Sequence, residues 1–239
     1  MKSQKLLVLA GGFGTRLRTV VSDVPKPLAP VLGVPFLQYL ILSWKSQGIK
    51  EIILLLHYQA EMIKDLVKSM KISGLIDGLK IEIIVEDEPL GTGGSVLNAV
   101  DYLNIQRNFL VVNADTWLGL GLEQIISAGP YSIGAVEVAD VGRYGGMDIQ
   151  SGHVNAFCEK ETSTGWGWIN AGIYHLCPEI FDDFRVGDSF SLETTVFPGF
   201  LEHGKLNAIK LDTDFVDIGI PEDYLRFCRW VKMGAIDEI

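Results

Sequence analysis

The first half of the chain alternates between short apolar runs and stretches of helical length, and this alternation limits the fold more than any other feature. Runs rich in Ile, Leu and Val are expected as strands, and the segments between them as helices. The predicted strands are 5–10, 51–56, 79–85 and 108–113, and the predicted helices are 35–47, 59–70 and 92–103. Strands that alternate with helices predict an α/β fold whose parallel sheet carries helices on both faces.

The second half of the chain is less regular. Its predicted strands are 131–138, 146–150, 154–159 and 169–175, and its predicted helices are 192–202 and 221–231. The sequence contains no repeat, low-complexity tract or linker rich in Gly, Ser or Pro. A chain of 239 residues can bury a large core, so we expect a single domain over 1–239.

A glycine-rich loop follows the first predicted strand, in the string L-A-G-G-F-G-T-R-L at residues 9–17. Its glycines let the backbone approach a ligand and turn N–H groups toward it. Arg16 and Lys26 add the cations that a phosphate chain needs. The loop is no Walker A sequence, and Leu17 stands where a dinucleotide-binding loop needs its third glycine. A phosphate-bearing nucleotide is therefore predicted, with a purely structural turn as the alternative.

The carboxyl ends of neighbouring parallel strands meet at one edge of a sheet, where ligands bind. The glycine loop, residues 86–94 and residues 113–115 are expected to converge there. We predict that a nucleobase packs on the small residues Gly91 and Thr92. The carboxylate of Glu86 can accept from the two adjacent N–H donors of guanine, whereas uracil offers no such pair. The alternative is that Glu86 is a solvent-facing acid before a helix.

The overall composition excludes several classes of partner. The formal net charge is −10, which argues against nucleic acid or an anionic membrane as partner. No apolar run reaches the length of a membrane span. The three cysteines lack C-x-x-C spacing, as is usual for reduced packing cysteines in a cytoplasmic protein.

The pattern L-A-G-G-x-G-T-R-L, followed by P-K-P-L at 25–28 and P-V at 30–31, resembles the signature of the sugar-1-phosphate nucleotidylyltransferases. The similarity runs from about residue 5 to residue 228. Residues 18–23 depart from the usual family pattern and are most similar to short guanylyltransferases that act on heptose 1-phosphate. The resemblance implies a Rossmann-like, mixed and mainly parallel sheet. It also implies a nucleotide-binding half at about 1–115 and a sugar-phosphate half at about 116–239.

The resemblance also implies roles for individual residues. Arg16, Lys26, Lys160 and Asp115 are expected to act in catalysis. The segments E-K, N-A-G and S-L-E, together with a loop glycine, correspond to a sugar subsite made by Gly145, Glu159, Asn170, Gly172 and Glu193. The nucleotide subsite comprises Leu9, Ala10, Gly11, Gly12, Gly14, Thr15, Glu86, Gly91 and Thr92.

Two carboxylates are candidates for metal binding. Asp115 directly follows the fourth predicted strand, where it could hold a cation or simply form a turn. The segment N-A-D that ends at Asp115 resembles the family's metal motif, with Ala114 in place of the usual glycine. Asp217 lies in a D-x-G segment similar to another of the family. Two carboxylates suit Mg²⁺ as the cofactor, and Mn²⁺ is expected to substitute.

The expected reaction is transfer of a nucleoside monophosphate from GTP, or another triphosphate, to a sugar 1-phosphate. A manno-heptose 1-phosphate is favoured, so that the product is GDP-heptose for a capsule, lipopolysaccharide or S-layer glycan. Mannose 1-phosphate guanylyltransfer and uridylyl- or cytidylyltransfer remain open, as does a regulatory subunit without catalysis. A homodimer is compatible with the resemblance.

Overall fold

The computed structural model describes residues 4–12, 17, 21, 24–158, 164–201 and 204–236. Its strands are β1 Lys5–Leu9, β2 Pro30–Val31, β3 Val34–Pro35, β4 Glu51–Leu56, β5 Lys80–Val85, β6 Phe109–Asn113, β7 Thr116–Leu118, β8 Ser132–Val138, β9 Gly146–Gln150, β10 His153–Cys158, β11 Gly167–Leu176, β12 Asn207–Lys210 and β13 Phe215–Asp217. Its helices are α1 Phe36–Ser46, α2 Ala60–Ile72, α3 Gly91–Tyr102, α4 Leu122–Ala128, α5 Phe197–Leu201 and α6 Pro221–Lys232. A π-helical turn, Leu192–Val196, precedes α5.

The mixed α/β fold that the sequence predicts is confirmed, and most predicted elements agree with the structure within two residues. The predicted helix 192–202 is instead divided into the π-helical turn and α5. The β2–β3 hairpin, β7, α4, β12 and β13 were not predicted from the sequence. These elements are short, and strands of two to four residues give no clear periodic signal.

The chain forms two compact units, which we call unit 1 and unit 2. Unit 1 contains Met1–Glu88, Asn113–Gly119 and Phe215–Ile239, and unit 2 contains Pro89–Val112 and Leu120–Asp214. Both units are discontinuous in sequence, whereas we expected a single domain over 1–239 with two continuous halves that meet near residue 115. The chain therefore crosses between units at several points, which local sequence patterns do not report.

Unit 1 is built on the parallel strands β5, β4 and β1, in that order. The central strand β4 is buried from Ile52 to Leu56. At the amino ends of these strands, Glu51 accepts hydrogen bonds from Lys5 at 2.5 Å and Lys80 at 2.9 Å. Although partial burial acts to raise the pKa of Glu51, these lysines lower it. The ionic cluster thus lies at the amino ends of the strands, opposite their carboxyl ends.

Besides the buried sheet strands, unit 1 has an aromatic core around α6. The ring of Phe227, which is fully buried, packs on Phe36 and Tyr39 of α1 with centroid distances of 4.9 and 5.7 Å. It also packs on Trp117 of β7 at 5.1 Å. Aromatic burial of this kind is a large part of core stability. It brings together segments more than a hundred positions apart in the sequence.

Unit 2 is mainly antiparallel. β11 pairs antiparallel with both β6 and β8, and β10 pairs antiparallel with β9 and β12. Only the pairing of β12 with β8 is parallel among the described strand pairs of this unit. The predicted parallel pairing is therefore found in unit 1, while unit 2 supplies the antiparallel part of the mixed fold. Within the described part of the chain, no helix combines the length and apolarity needed to cross a membrane.

Candidate active site

Two distant aspartates are brought together in unit 1 by the short antiparallel pair β7–β13. Thr116 is paired with Asp217 in this ladder, and the N–H of Ile218 donates to the carbonyl of Asp115 at 2.9 Å. Each carboxylate is therefore held at the end of a short strand, next to the other. The sequence predicted that both act at one site, and the pairing brings them together.

The ammonium of Lys26 lies between these two carboxylates. Its Nζ forms an ion pair with Oδ2 of Asp115 and lies 3.3 Å from Oδ1 of Asp217. The Lys26 side chain is only 11% exposed, so water screens its interactions with the two carboxylates less than it would at an open surface. The sequence singled out all three residues, and the structure joins them in one cluster.

The backbone of Lys26 is fixed by a one-turn 3₁₀ helix, Lys26–Leu28. Leu28 N–H donates to the Pro25 carbonyl at 2.8 Å, and Ala29 N–H donates to the Lys26 carbonyl at 3.1 Å. Pro25 and Pro27 restrict φ on both sides of the lysine. The P-K-P string thus holds the Lys26 backbone in place, and the long lysine side chain extends from it to the two aspartates.

Gly219 leaves the space that this cluster needs. A Cβ at this position would overlap the Lys26 ammonium and lie 2.8 Å from Oδ1 of Asp217. The N–H of Gly219 also donates to the same Asp217 oxygen at 2.7 Å. This glycine lies in the D-x-G segment, but no role was predicted for it. The close approach of Lys26 and Asp217, not an unusual backbone conformation, accounts for a glycine at this position.

The electrostatics of the cluster fit a hard divalent cation. Burial and the nearby charge of Asp115 raise the pKa of Asp217 above its ordinary value, against the opposing effect of Lys26. Both carboxylates reach a single cationic atom, so they can share one ion. Among the described residues, no group of three or more His, Cys, Asp or Glu could hold a metal. A metal here would take its other ligands from phosphate and water, as Mg²⁺ commonly does.

The carboxyl ends of the unit 1 strands are tied together by backbone hydrogen bonds. Ala10 N–H donates to Leu55 at 3.0 Å, Glu86 N–H to Leu56 at 2.8 Å and Ala114 N–H to Leu9 at 3.1 Å. The predicted meeting of the loops after these strands is confirmed for the parts within unit 1. This edge therefore carries the start of the glycine loop as well as the acidic cluster.

The loop residues at this edge differ in exposure. Gly11 is half-buried against His57, and Gly12 is exposed. The Nδ1 of His57 lies 3.0 Å from the backbone oxygen of Glu86, and this contact requires a proton on Nδ1. Glu86 is 8% exposed. It is therefore no solvent-facing acid, which was the alternative to its role in base recognition.

In unit 2, Glu193 accepts hydrogen bonds from three hydroxyl groups. Thr92 and Ser191 donate to its Oε2 at 2.7 and 2.8 Å, and Tyr174 donates to its Oε1 at 3.1 Å. A carboxylate oxygen has two lone pairs, so these contacts leave one acceptor direction on Oε1. Glu193 can thus offer that direction to a sugar hydroxyl, as its predicted role requires.

A bulge in β11 supplies the other end of this network. The register between β11 and β8 shifts between Asn170 and Tyr174, and bulges of this kind commonly redirect side chains at active sites. Gly172 N–H donates to Oδ1 of Asn170 at 2.8 Å, which fixes the orientation of the amide. The amide Nδ2 then donates to the Tyr174 hydroxyl at 2.9 Å. Asn170 and Glu193, both predicted in the sugar subsite, are therefore linked through Tyr174.

The glycines at the start of α3 have a packing role. A Cβ on Gly91 would lie 2.5 Å from the Phe190 carbonyl oxygen, and one on Gly93 would overlap the Phe190 ring. Gly93 N–H donates to that carbonyl at 2.9 Å. The Thr92 hydroxyl accepts from Leu192 N–H at 2.9 Å besides donating to Glu193. The contact of Gly91 and Thr92 with a nucleobase remains a prediction.

Gly145 closes the turn before β9, where its N–H donates to the Val141 carbonyl at 2.8 Å. The next residue, Gly146, pairs with Cys158 at the end of β10.

Five predicted site residues lie outside the described part of the chain: Gly14, Thr15, Arg16, Glu159 and Lys160. Tyr174 lies at the bulge of β11, and the Ser191 hydroxyl caps the π-helical turn. Neither residue was predicted, because neither feature has a distinctive spacing in the sequence.

A family model described as "Nucleotidyl transferase" matches residues 5–232. A D-glycero-alpha-D-manno-heptose 1-phosphate guanylyltransferase from Campylobacter jejuni is 34% identical over 222 residues, which are 92% of this chain and 97% of that protein. A protein of the same name from Aneurinibacillus thermoaerophilus is 32% identical over 92% of this chain and 95% of its own length.

The crystal structure of HddC from Yersinia pseudotuberculosis complexed with GMP-PN has a TM-score of 0.82 to this structure. It is 40% identical, and the match covers 95% of this chain and 98% of that one. The match to the family model over nearly the whole chain, supported by these similarities, leads to one conclusion: this chain belongs to the nucleotidyl transferase family.

Proposed function

We propose that this protein transfers GMP from GTP to a manno-heptose 1-phosphate, with formation of GDP-heptose and release of pyrophosphate. The observation that carries the proposal is the Lys26–Asp115–Asp217 cluster at the ligand-binding edge of the unit 1 strands. The cluster belongs to a chain that matches heptose 1-phosphate guanylyltransferases over nearly their full length.

The reaction needs positioning and charge neutralisation rather than a general base. An oxygen of the sugar phosphate is already an anion, and it attacks the α-phosphorus of GTP while pyrophosphate leaves from the opposite side. The phosphate oxygen forms the new P–O bond as the bond to pyrophosphate breaks, so no proton has to move. Lys26 is suited to contact the nucleotide phosphates. We assign Arg16 to the leaving pyrophosphate and Lys160 to the sugar phosphate.

Asp115 and Asp217 would hold the divalent cation, Mg²⁺ or Mn²⁺. When bound, the ion supplies neutralisation of the phosphate charge at the reacting centre. The two aspartates are suited to this role because both carboxylates already converge on one cationic atom. The remaining ligands of the ion would come from phosphate oxygens and water.

Recognition of guanine is assigned to Glu86. Its position at the carboxyl end of β5 and its 8% exposure favour a buried, directed carboxylate over a surface charge. Hydrogen bonds to a charged group contribute about 1.5–3 kcal/mol each, so loss of the N1–H and N2–H₂ pair would strongly disfavour UTP. The match to HddC complexed with GMP-PN supports a guanine nucleotide.

Mannose 1-phosphate is the second candidate for the acceptor. A "Probable mannose-1-phosphate guanylyltransferase 2" from Arabidopsis thaliana is 35% identical over 94% of this chain, but the chain spans 64% of that protein's length. The heptose enzymes match this chain over almost all of their length, and this favours the heptose. The product would be made in the cytoplasm, where GTP is available, for a capsule, lipopolysaccharide or S-layer glycan.

The direct test is pyrophosphate release with GTP, UTP, CTP and dTTP against the 1-phosphates of manno-heptose, mannose and glucose. GTP with heptose 1-phosphate should give the highest kcat/KM. Preference for another triphosphate would refute the guanine assignment, and preference for mannose or glucose 1-phosphate with GTP would refute only the sugar.

A substitution tests the base assignment separately. Glu86→Gln should lower kcat/KM for GTP about a hundredfold, because an amide cannot accept from both guanine donors. Glu88→Gln, at an exposed position two residues away, is the matched control and should have little effect. Equal effects of the two substitutions would contradict a specific role for Glu86.

A further inference from the structure

The Lys26 ammonium shares its contacts with the oxygens that a divalent cation would need. It contacts Oδ2 of Asp115, and it lies 3.3 Å from Oδ1 of Asp217. Mg²⁺ requires oxygen ligands at about 2.0–2.1 Å in near-octahedral geometry. An ion bound to these same oxygens would compete with the ammonium for them, and the two positive charges would repel each other.

The surroundings restrict where the ammonium can go. The 3₁₀ turn and its prolines hold the Lys26 backbone, so a change of position must come from rotation of the side chain. The ammonium lies close to Gly219, where an added Cβ would overlap it. An ion that arrives alone would displace a largely buried ammonium from both carboxylates without supplying it a new anion, at considerable cost.

We propose that Lys26 acts as a tethered counter-ion which keeps free divalent cations off Asp115 and Asp217, so that the metal binds together with a nucleoside triphosphate. The triphosphate supplies anionic oxygens to the displaced ammonium, and the carboxylates become available to the metal. Metal and nucleotide then favour each other's binding, as linkage requires when one bound ligand removes the cost of the other. This inference rests on the metal site of the proposed function.

The test measures Mn²⁺ affinity by electron paramagnetic resonance, without sugar phosphate or turnover. Wild-type protein should bind free Mn²⁺ weakly. Lys26→Met and Lys26→Gln, which remove the charge with little change in length, should each bind free Mn²⁺ at least tenfold more tightly. Lys26→Arg keeps a cation in place and should stay close to wild type.

Lys80→Met controls for the general effect of removing a positive charge, since Lys80 pairs with Glu51 at the amino ends of the strands. It should leave Mn²⁺ affinity unchanged. A nonhydrolysable GTP analogue should raise the Mn²⁺ affinity of wild type at least tenfold, and much less in the Lys26→Met variant.

Unchanged Mn²⁺ affinity in both neutral Lys26 variants, with native circular dichroism spectra, would overturn the inference, as would an equal gain in Lys80→Met. Failure of every protein to bind Mn²⁺, with or without the analogue, would overturn both the inference and the proposed metal site. The assay uses neither the sugar nor turnover, so a gain in the Lys26 variants supports the inference even if the substrate panel fails.

Discussion

Asp217 shows how much one side chain depends on its immediate neighbours. Its Oδ1 accepts from the Gly219 N–H at 2.7 Å and faces the Lys26 ammonium at 3.3 Å. Burial and the charge of Asp115 raise its pKa, so the cation and the N–H are needed to favour the carboxylate form. The charged form of Asp217 thus depends on both the Lys26 ammonium and the Gly219 N–H.

Removal of either carboxylate should abolish most of the activity. Asp115→Asn and Asp217→Asn should each lower turnover at saturating Mn²⁺ by about a hundredfold or more, because each loses an anionic ligand. Asp214→Asn, at an exposed position that precedes Asp217 by three residues in the sequence, should keep near-normal turnover. Normal turnover of either site variant, measured as pyrophosphate release, would contradict the shared metal site.

We predict that Tyr174 acts as a positioning residue for the sugar subsite. Its hydroxyl is the link between Asn170 and Glu193, and the side chain is fully buried. Tyr174→Phe should raise KM for the sugar phosphate about tenfold and leave KM for GTP unchanged, because both partners lose their orientation. Tyr102→Phe, at an exposed tyrosine, is the control. An equal rise of both KM values in Tyr174→Phe would indicate a general structural role.

At the scale of elements, β11 determines the geometry of unit 2. It pairs with β6 and β8, and its bulge carries Asn170 to Gly172. Near its end, His175 is 2% exposed and donates from Nδ1 to the Ile125 carbonyl of α4 at 3.2 Å. Its Nε2 is buried and has no hydrogen-bond partner among the described residues. β11 therefore packs against α4 through a buried histidine whose neutral form is favoured, because burial lowers its pKa.

This histidine predicts a pH dependence of stability. Burial lowers the pKa of His175 from its ordinary value of 6.5, although backbone hydrogen bonds oppose the shift. As the pH falls, His175 is therefore protonated near pH 6.5 in the unfolded chain but only at a lower pH in the folded chain. The contribution of His175 is complete above that pH and is lost as the pH falls toward the folded pKa, with a slope of up to about 1.4 kcal/mol per pH unit.

Urea unfolding between pH 8 and pH 5 measures this effect. The loss of unfolding free energy on acidification should be smaller in His175→Gln than in wild type, because glutamine does not titrate. His153→Gln, at an exposed position, should retain the wild-type slope. Parallel pH profiles of wild type and His175→Gln would contradict the assignment.

At the scale of the whole molecule, neither unit corresponds to one continuous half of the chain. Unit 1 takes its α6 from Phe215–Ile239, and the Phe227 ring of that segment contacts Phe36, Tyr39 and Trp117. A net charge of −10 also means that the molecule as a whole repels a triphosphate. We therefore expect triphosphate binding to depend on cations held locally, such as Lys26, and on the proposed divalent ion.

Division of the chain at residue 115 should therefore destroy folding. A fragment of residues 1–115 lacks Trp117 and α6, so the buried rings of α1 lose their partners and it should show no cooperative urea transition. A mixture with the fragment 116–239 should recover part of the native circular dichroism. Cooperative unfolding of the fragment 1–115 alone would show that the first half is autonomous.

The sequence by itself determined the elements with strong periodicity, and it singled out the three residues that form the candidate site. The strand Glu51–Leu56 was predicted with its observed bounds, because a buried strand between two helices leaves a clear apolar run. Lys26, Asp115 and Asp217 were singled out because their strings are local: prolines flank Lys26, Asp115 follows the predicted strand 108–113, and Asp217 lies in a D-x-G segment that resembles one of the family. Chemistry that depends on a few adjacent residues can be read without coordinates.

Only the tertiary structure decided which of these residues meet and how they are held. The pairing of Thr116 with Asp217 joins positions about a hundred residues apart, and such register depends on long-range packing. The space kept by Gly219, the bulge at Asn170 and the link through Tyr174 arise from contacts between distant segments. Local propensity does not record those contacts, because one sequence string can pack against many different partners.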